Sequence, residues 1–221
     1  MANPSGVCYI VGAMPLEPEL TPRPRAGDLV IAADGGYASL RARGVAPDLV
    51  VGDFDSLGSV PDHPNTVRLP REKDDTDTCH AMNLALDRGY TRFLLLGGVG
   101  GRLDHTVANL QLLAGLAARG ARGILAGDGQ AATVIANGSF DFPKSMSGYC
   151  SVFCQGAAAS GVRLEGLKYP LEDAQLTASV PLGVSNEFLG VPARVSVREG
   201  ALLLVWEDHG QLLDLLPTLL K

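Results

Sequence analysis

What the sequence lacks narrows the field first. It has no basic excess: Lys plus Arg number 18 against 24 Asp plus Glu, a formal net charge of −6. Duplex nucleic acid is therefore not an expected partner, because a binder needs a basic footprint to displace counterions. No apolar run approaches the ~20 residues that span a bilayer, so no membrane segment is expected. Met1-Ala2-Asn3-Pro4-Ser5-Gly6 places no basic stretch ahead of an apolar one, so no secretory leader is expected either. The four cysteines, Cys8, Cys79, Cys150 and Cys154, form no C-x-x-C pair. Small buried hydrophobes in a reducing, cytoplasmic setting are their expected role. Internal repeats and low-complexity segments are also missing.

What is present is a core and a skewed set of acids. The chain has 221 residues, 46% hydrophobic and 19% charged, enough for one large domain or two small ones. Asp outnumbers Glu 16 to 8, and ten of the Asp lie between Asp34 and Asp104. That stretch holds 11 acids and 8 bases and nets only −3, so bulk acidity is not the signal. Position is. Asp is a poor helix-interior residue but suits turns, caps and metal shells.

The first part of the chain alternates strands and helices. Short apolar runs at Cys8–Val11, Leu29–Ala33, Leu49–Val51 and Phe93–Leu96 are bounded by Gly, Pro or Asp, as buried parallel strands are. Helices are predicted around Gly36–Arg43, over Thr78–Arg88 and over Asp104–Arg119, each followed by a glycine that can close it. From about Gly129 the texture changes. Ala132–Ala136, Tyr149–Cys154, Val162–Leu164, Gln175–Val180, Arg194–Arg198 and Leu202–Trp206 are β-prone runs punctuated by Gly and Pro. The expected fold class is α/β: an N-terminal parallel-sheet α/β domain, residues 1–135, followed by a smaller all-β sandwich, residues 136–221. No helix is predicted in the tail Gln211–Lys221, because Pro217 interrupts it. Trp206, the only tryptophan, is expected in the core.

Three segments of the α/β half carry the chemistry. The first, Val51-Gly52-Asp53-Phe54-Asp55-Ser56, directly follows a strand, and carboxyl ends of strands face the ligand crevice in such sheets. In an extended turn Asp53 and Asp55 can point to one side and hold Mg²⁺, which takes carboxylates and substrate phosphates. A turn closed by Asp side chains on their own backbone explains the same residues. The second, Glu72-Lys73-Asp74-Asp75-Thr76-Asp77, precedes a helix. One acid or Thr there serves as an N-cap; three Asp exceed that need, so a cation or Lys73 is expected to offset them, with Asp77 the preferred ligand.

The third is Leu96-Gly97-Gly98-Val99-Gly100-Gly101-Arg102-Leu103-Asp104-His105. A glycine-rich strand-to-helix loop turns backbone N–H groups and a helix N-terminus toward a phosphate. Lacking the Lys of a P-loop and the spacing G-x-G-x-x-G, it belongs to neither class. Arg102 is placed to supply a bidentate phosphate contact. A tight turn, an N-capping Asp104 and a surface His105 are the plainer roles. Taken together, the three segments assemble a metal–polyphosphate site for phosphoryl-type transfer, where positioning and charge neutralisation supply most of the catalysis.

On these residues the sequence resembles the thiamine pyrophosphokinase family. The matching pieces, in the family's order, are Ala33-Asp34-Gly35-Gly36, Gly52-Asp53-Phe54-Asp55-Ser56, Glu72-Lys73-Asp74-Asp75-Thr76-Asp77, Gly100-Gly101-Arg102-Leu103-Asp104-His105, Gly166-Leu167-Lys168-Tyr169-Pro170-Leu171 and Ser185-Asn186-Glu187-Phe188. The resemblance implies diphosphate transfer from ATP to thiamine, giving thiamine diphosphate and AMP, on an α/β domain with a C-terminal β-sandwich. It implies Asp53, Asp55 and Asp77 as Mg²⁺ ligands, and Asp55, Asp77 and Arg102 as catalytic residues. It implies a nucleotide site of Asp34, Gly35, Gly36, Gly100, Gly101, Arg102, Asp104 and His105. Thiamine would meet Tyr169, Ser185 and Asn186, in a homodimer whose thiamine pocket is completed across the subunit interface. Gly183-Val184 stands where hydroxyl residues are often found. Two alternatives share the residues: a Mg²⁺-dependent nucleotide phosphohydrolase, and a catalytically silent nucleotide or thiamine sensor.

Overall fold

In the computed structural model, the described residues are 5–55, 58, 60–70, 72 and 74–221. Ser56 and Lys73, quoted in the motifs above, lie outside them, and so does the offset expected from Lys73. The chain divides into two compact units, residues 1–112 with 125–128, and residues 113–124 with 129–221.

The first unit begins with β1 (Cys8–Val11), a 3₁₀ turn at Pro18–Leu20, β2 (Leu29–Ala33), α1 (Gly36–Ala42), β3 (Leu49–Gly52) and β4 (Thr66–Arg68). It continues through α2 (Asp77–Asp87), β5 (Arg92–Leu96), the start of α3 (Leu103–Ala118) and the end of β6 (Arg122–Gly127). β1 pairs in parallel with both β2 and β5, β2 with β3, and β3 with β4. Every residue of β1, β2 and β3 is buried, which is why these strands read as continuous apolar runs. Two Asp start strands rather than serve the site. Asp28 Oδ1 accepts from the Val7 N–H at 2.7 Å, and Asp48 Oδ2 from the Val30 N–H at 2.8 Å.

The second unit carries β7 (Gln130–Ala136), β8 (Ser139–Phe142), β9 (Tyr149–Cys154), β10 (Ala158–Glu165) and β11 (Leu171–Thr177). β12 (Gly183–Glu187), β13 (Ala193–Ser196), β14 (Ala201–Glu207) and α4 (Leu212–Leu219) complete it. The larger sheet has the order β12-β9-β14-β7-β6-β5-β1-β2-β3-β4, and a four-stranded sheet has the order β11-β10-β13-β8. Among the pairs of described register in this unit, β14 with β7 and β9, β12 with β9, and β10 with β11 and β13 are antiparallel. This mixed α/β architecture with a second, antiparallel sheet is the fold class the sequence predicts.

One feature departs from sequence-based expectation. α4 forms despite Pro217, because Leu212, Leu216 and Leu219 recur at helical spacing and are buried, while Pro217 falls in the last turn. Asp208 Oδ1 accepts from the N–H groups of Gln211 and Leu212, both at 3.2 Å, and so satisfies the start of that helix. Cys150 and Cys154, on one strand, are about 13 Å apart at ~3.3 Å per residue, beyond disulfide reach. All four cysteines are unbridged, and burial pushes the Cys150 thiol up to about 12.

Trp206 lies 2% exposed in an aromatic cluster, 5.3 Å from Phe142 and 5.9 Å from Phe140 between ring centroids. Trp206→Ala is expected to lower the unfolding free energy by about 3–5 kcal/mol, read as a fall in the urea midpoint followed by far-UV circular dichroism. An unchanged midpoint would contradict the core role.

Candidate functional site

The site is built at the carboxyl ends of β2 and β3 and the amino end of α2. Asp34 follows β2 in a left-handed conformation (φ +48°), and its N–H donates to Val51 O at 2.8 Å. The chain then enters α1 through Gly35 and Gly36. A Cβ on Gly36 would stand 1.9 Å from Val11 O, so only glycine lets α1 start this close to β1. Asp53 follows β3. Phe54, next in sequence, is buried and also left-handed, at φ +60°, an unusual conformation for an aromatic residue. Asp77 is the first residue of α2, whose N-cap Thr76 accepts from the Cys79 N–H at 3.1 Å.

These three connections bring Asp34, Asp53 and Asp77 together. Each is half-buried, and each offers a carboxylate oxygen within 4.8 Å of the others'. Asp55 is exposed and lies outside this group, and its N–H donates to Asp53 Oδ1 at 3.1 Å. The extended turn that would align Asp53 with Asp55 is broken by the left-handed Phe54. The Asx-type bond and the carboxylate cluster therefore coexist at Asp53. Of the other acids before α2, Asp74 is exposed, and Asp75 Oδ2 lies 3.9 Å from His80 Nδ1.

The glycine loop after β5 turns through left-handed conformations: Gly97, Gly100 and Gly101 have φ of +63°, +84° and +63°. Asn109, buried on α3, steadies it by donating to Gly98 O at 2.8 Å. Arg102 precedes α3 and Asp104 is the second residue within it, so Asp104 is not the cap. Arg102 Nε and Nη2 donate to the two Asp104 oxygens at 3.1 and 2.5 Å. Both side chains are exposed, and the Arg102 hydrogen bond holds the Asp104 carboxyl below its ordinary range. His105 is exposed beside them, its N–H on Asp104 Oδ1 at 2.9 Å.

In the second unit, Tyr169 is 57% exposed and Ser185 is exposed at φ +56°. Asn186 is 2% exposed. Its Oδ1 accepts from the N–H groups of Tyr169 and Glu187, both at 2.9 Å, and its Nδ2 donates to Tyr169 O at 2.8 Å. The amide thus clamps Tyr169 rather than facing solvent. Lys168 reaches Glu187 Oε1 at 2.6 Å and lies over the Tyr169 ring, 5.5 Å from its centroid. Gly183 is fixed by packing, since a Cβ there would meet Val152 O at 2.2 Å.

Three carboxylates, two after strand ends and one at the first residue of a helix, in a unit that also carries a glycine–arginine loop opening a helix, are the donor set of an α/β enzyme that handles a polyphosphate. Residues 25–125 match the catalytic domain of thiamin pyrophosphokinase, and residues 139–202 match the vitamin B1 binding domain of thiamin pyrophosphokinase. A thiamine pyrophosphokinase from Bacillus subtilis is 28% identical over 201 residues, 88% of this chain and 94% of that protein. The crystal structure of thiamine pyrophosphokinase from Bacillus subtilis superposes with a TM-score of 0.82 at 27% identity, covering 92% of this chain and 99% of the other. That of thiamin pyrophosphokinase from Geobacillus thermodenitrificans gives 0.78 at 27% identity, covering 91% and 97%. The chain belongs to the thiamin pyrophosphokinase family, and it is an enzyme of thiamine diphosphorylation.

The resemblance implies Asp34 at the nucleotide rather than at the cation, and the structure places it in the carboxylate group. A signal was available: like Asp53, it follows a buried strand directly. Asp34→Asn and Asp77→Asn are each expected to cut kcat/KM by roughly a hundredfold or more, with the circular dichroism spectrum unchanged. Asp62→Asn, at an exposed position elsewhere, should leave kcat/KM at the wild-type value. Near-wild-type turnover in the Asp34 and Asp77 variants would remove the cluster from the site.

Proposed function

We propose that the chain transfers the β,γ-diphosphate of ATP to thiamine with Mg²⁺ bound at the carboxylate cluster. The observation that carries this reading is the convergence of Asp34, Asp53 and Asp77 to within 4.8 Å. The donor set fits the ion: Mg²⁺ prefers oxygen ligands and is usually held by one or two carboxylates together with substrate phosphates. Bound there, Mg²⁺ would neutralise charge on the polyphosphate.

The chain's own groups supply the remainder. Backbone N–H groups of Gly100 and Gly101 and the amino end of α3 face phosphate oxygens, and Asp34, Gly35 and Gly36 line the same nucleotide site with Asp104 and His105. Arg102, oriented by Asp104, exchanges that partner for the phosphates and stabilises charge as it develops toward the leaving group. The hydroxyethyl oxygen of thiamine attacks the β-phosphorus. A new P–O bond forms, the bond to the α-phosphate oxygen breaks, and AMP leaves with the electron pair. Asp55, outside the carboxylate cluster, takes the hydroxyl proton. Tyr169 and Ser185 contact thiamine, the aromatic ring favouring the cationic thiazolium, and Asn186 acts through the hold it has on Tyr169.

The functional division follows the sequence: residues 1–135 as the catalytic domain and 136–221 as the thiamine-binding domain. Self-association as a homodimer is part of the same reading. It is supported by the exposed Tyr149, Val180, Leu182 and Val184 of the second unit, and by β12 at the sheet edge. Among the described residues no helix is long and apolar enough to cross a membrane, and the unbridged cysteines favour a cytoplasmic location.

AMP release from Mg·ATP, measured with and without thiamine, tests the reaction. Thiamine-dependent AMP release with matching thiamine diphosphate is expected. Phosphate release without thiamine would indicate a phosphohydrolase, and nucleotide or thiamine binding without turnover would indicate a sensor.

A further inference from the structure

Strand β12 breaks the alternation expected of a strand. Successive side chains of a strand point to opposite faces, yet Val184 and Ser185 are both exposed, between a buried Gly183 and a buried Asn186. The register against β9 gives the reason. Gly183 is paired with Val152 and Asn186 with Cys150, so Val184 and Ser185 together stand opposite the single residue Ser151. Two residues facing one is the geometry of a β-bulge, a device that re-aims side chains and takes a backbone amide out of the ladder. Ser185 carries the strain, at φ +56°. Neither Gly183 nor Val184 has a side-chain acceptor, and the Ser185 amide is met from the neighbouring strand: Ser151 Oγ accepts from the Ser185 N–H at 3.0 Å.

We infer that Ser151 is a positioning residue for thiamine: its hydroxyl fixes the bulge that turns Ser185 outward while Asn186 stays inward. The inference rests on the proposed contact of Ser185 with thiamine and deepens it by naming what holds that contact in place. Register decides the matter, because the side-chain period of a strand is two and a shift of one residue reverses every face. With Gly183 held against Val152 and no bulge, Ser185 would stand opposite Cys150 and face inward. Asn186 would then stand opposite Tyr149, face outward and lose its hold on the Tyr169 backbone. The bulge therefore serves both proposed thiamine contacts at once, Ser185 directly and Tyr169 through Asn186.

Ser151 is well placed to hold an edge strand. β9 lies between β12 and β14 in the larger sheet, and Ser151 is paired with Val205 on the β14 side. Its chain neighbours Cys150 and Val152 are completely buried, which fixes the backbone that carries the hydroxyl. On the far side of the bulge β12 is tied again, since the Lys168 N–H donates to Glu187 O at 3.0 Å. The bulge is thus anchored beyond Asn186 by the segment that carries Tyr169, and at Ser185 by Ser151.

The test compares the full chain as wild type, Ser151→Thr and Ser151→Val. The two variants match in shape and both suit a strand, so they differ in the hydroxyl alone. Steady-state kinetics are run with thiamine varied and then with ATP varied, and exchange of the Ser185 amide is followed by NMR. Ser151→Val should raise the KM for thiamine by about three- to tenfold, the worth of one hydrogen bond, and speed exchange at Ser185. Its KM for ATP should stay at the wild-type value, and Ser151→Thr should keep both thiamine KM and amide protection close to wild type. A purely structural role would move both substrates or both variants alike. Equal thiamine KM in Ser151→Val and Ser151→Thr, or a parallel rise in the KM for ATP, overturns the assignment. A wild-type chain that diphosphorylates no thiamine would overturn the proposed function and the substrate named here with it, while exchange at Ser185 would still decide whether Ser151 holds the bulge.

Discussion

The site depends on a repulsion that the fold must oppose. Three carboxylates from three different connections are held half-buried, with oxygens within 4.8 Å of one another. At that separation each pair of unit charges repels by roughly 3 kcal/mol for an effective dielectric near 20. A flexible loop would relieve the strain by swinging one acid into water. Here none can do so cheaply, because each acid is tied to a buried element. Asp34 hangs from β2 and is hydrogen-bonded across to Val51, Asp53 is anchored through the buried Phe54, and Asp77 begins a helix whose dipole favours a negative charge at that end. A divalent cation bound there, as proposed, would convert this electrostatic cost into binding energy.

Backbone strain is placed where the acids are. Asp34 and Phe54 both sit in left-handed conformations, and α1 starts against β1 at a distance that only Gly36 permits. These local costs persist because the surrounding strands are buried on both faces and cannot shift to relax them. The clamp on Tyr169 in the second unit follows a similar logic. Burying the Asn186 amide is tolerable because both of its polar atoms are satisfied by backbone. The result is an exposed aromatic ring on a fixed backbone.

Much of this was legible in the sequence, and the reasons for the rest are physical. Strands buried on both faces announce themselves as apolar runs, so β1, β2, β3 and β5 are readable almost to the residue. β4, β8 and β12 are short and carry polar or exposed residues, so no period marks them. α4 was hidden by Pro217, because only tertiary burial of its leucines outweighs a local helix breaker. In the site, Asp53 and Asp77 stood out by position and number. The inclusion of Asp34 and the separation of Asp55 did not, since both follow from left-handed turns. Asp tolerates such a turn, but Phe54 adopts one only because its ring is buried, and no local pattern records that. The clamp by Asn186 and the bond from Arg43 to Leu16 O join residues 17 and 27 apart in sequence, beyond the reach of spacing arguments.

The central claim is that the three acids form one cation site to which Asp34 contributes. Its most direct measure is titration of the wild-type chain and of Asp34→Asn with Mn²⁺ as a paramagnetic stand-in for Mg²⁺, counting bound ions by the loss of the free-ion resonance. The account predicts a site in the wild type that is weakened at least tenfold in Asp34→Asn, where one charged ligand is lost. Equal Mn²⁺ affinity in the two proteins would contradict it.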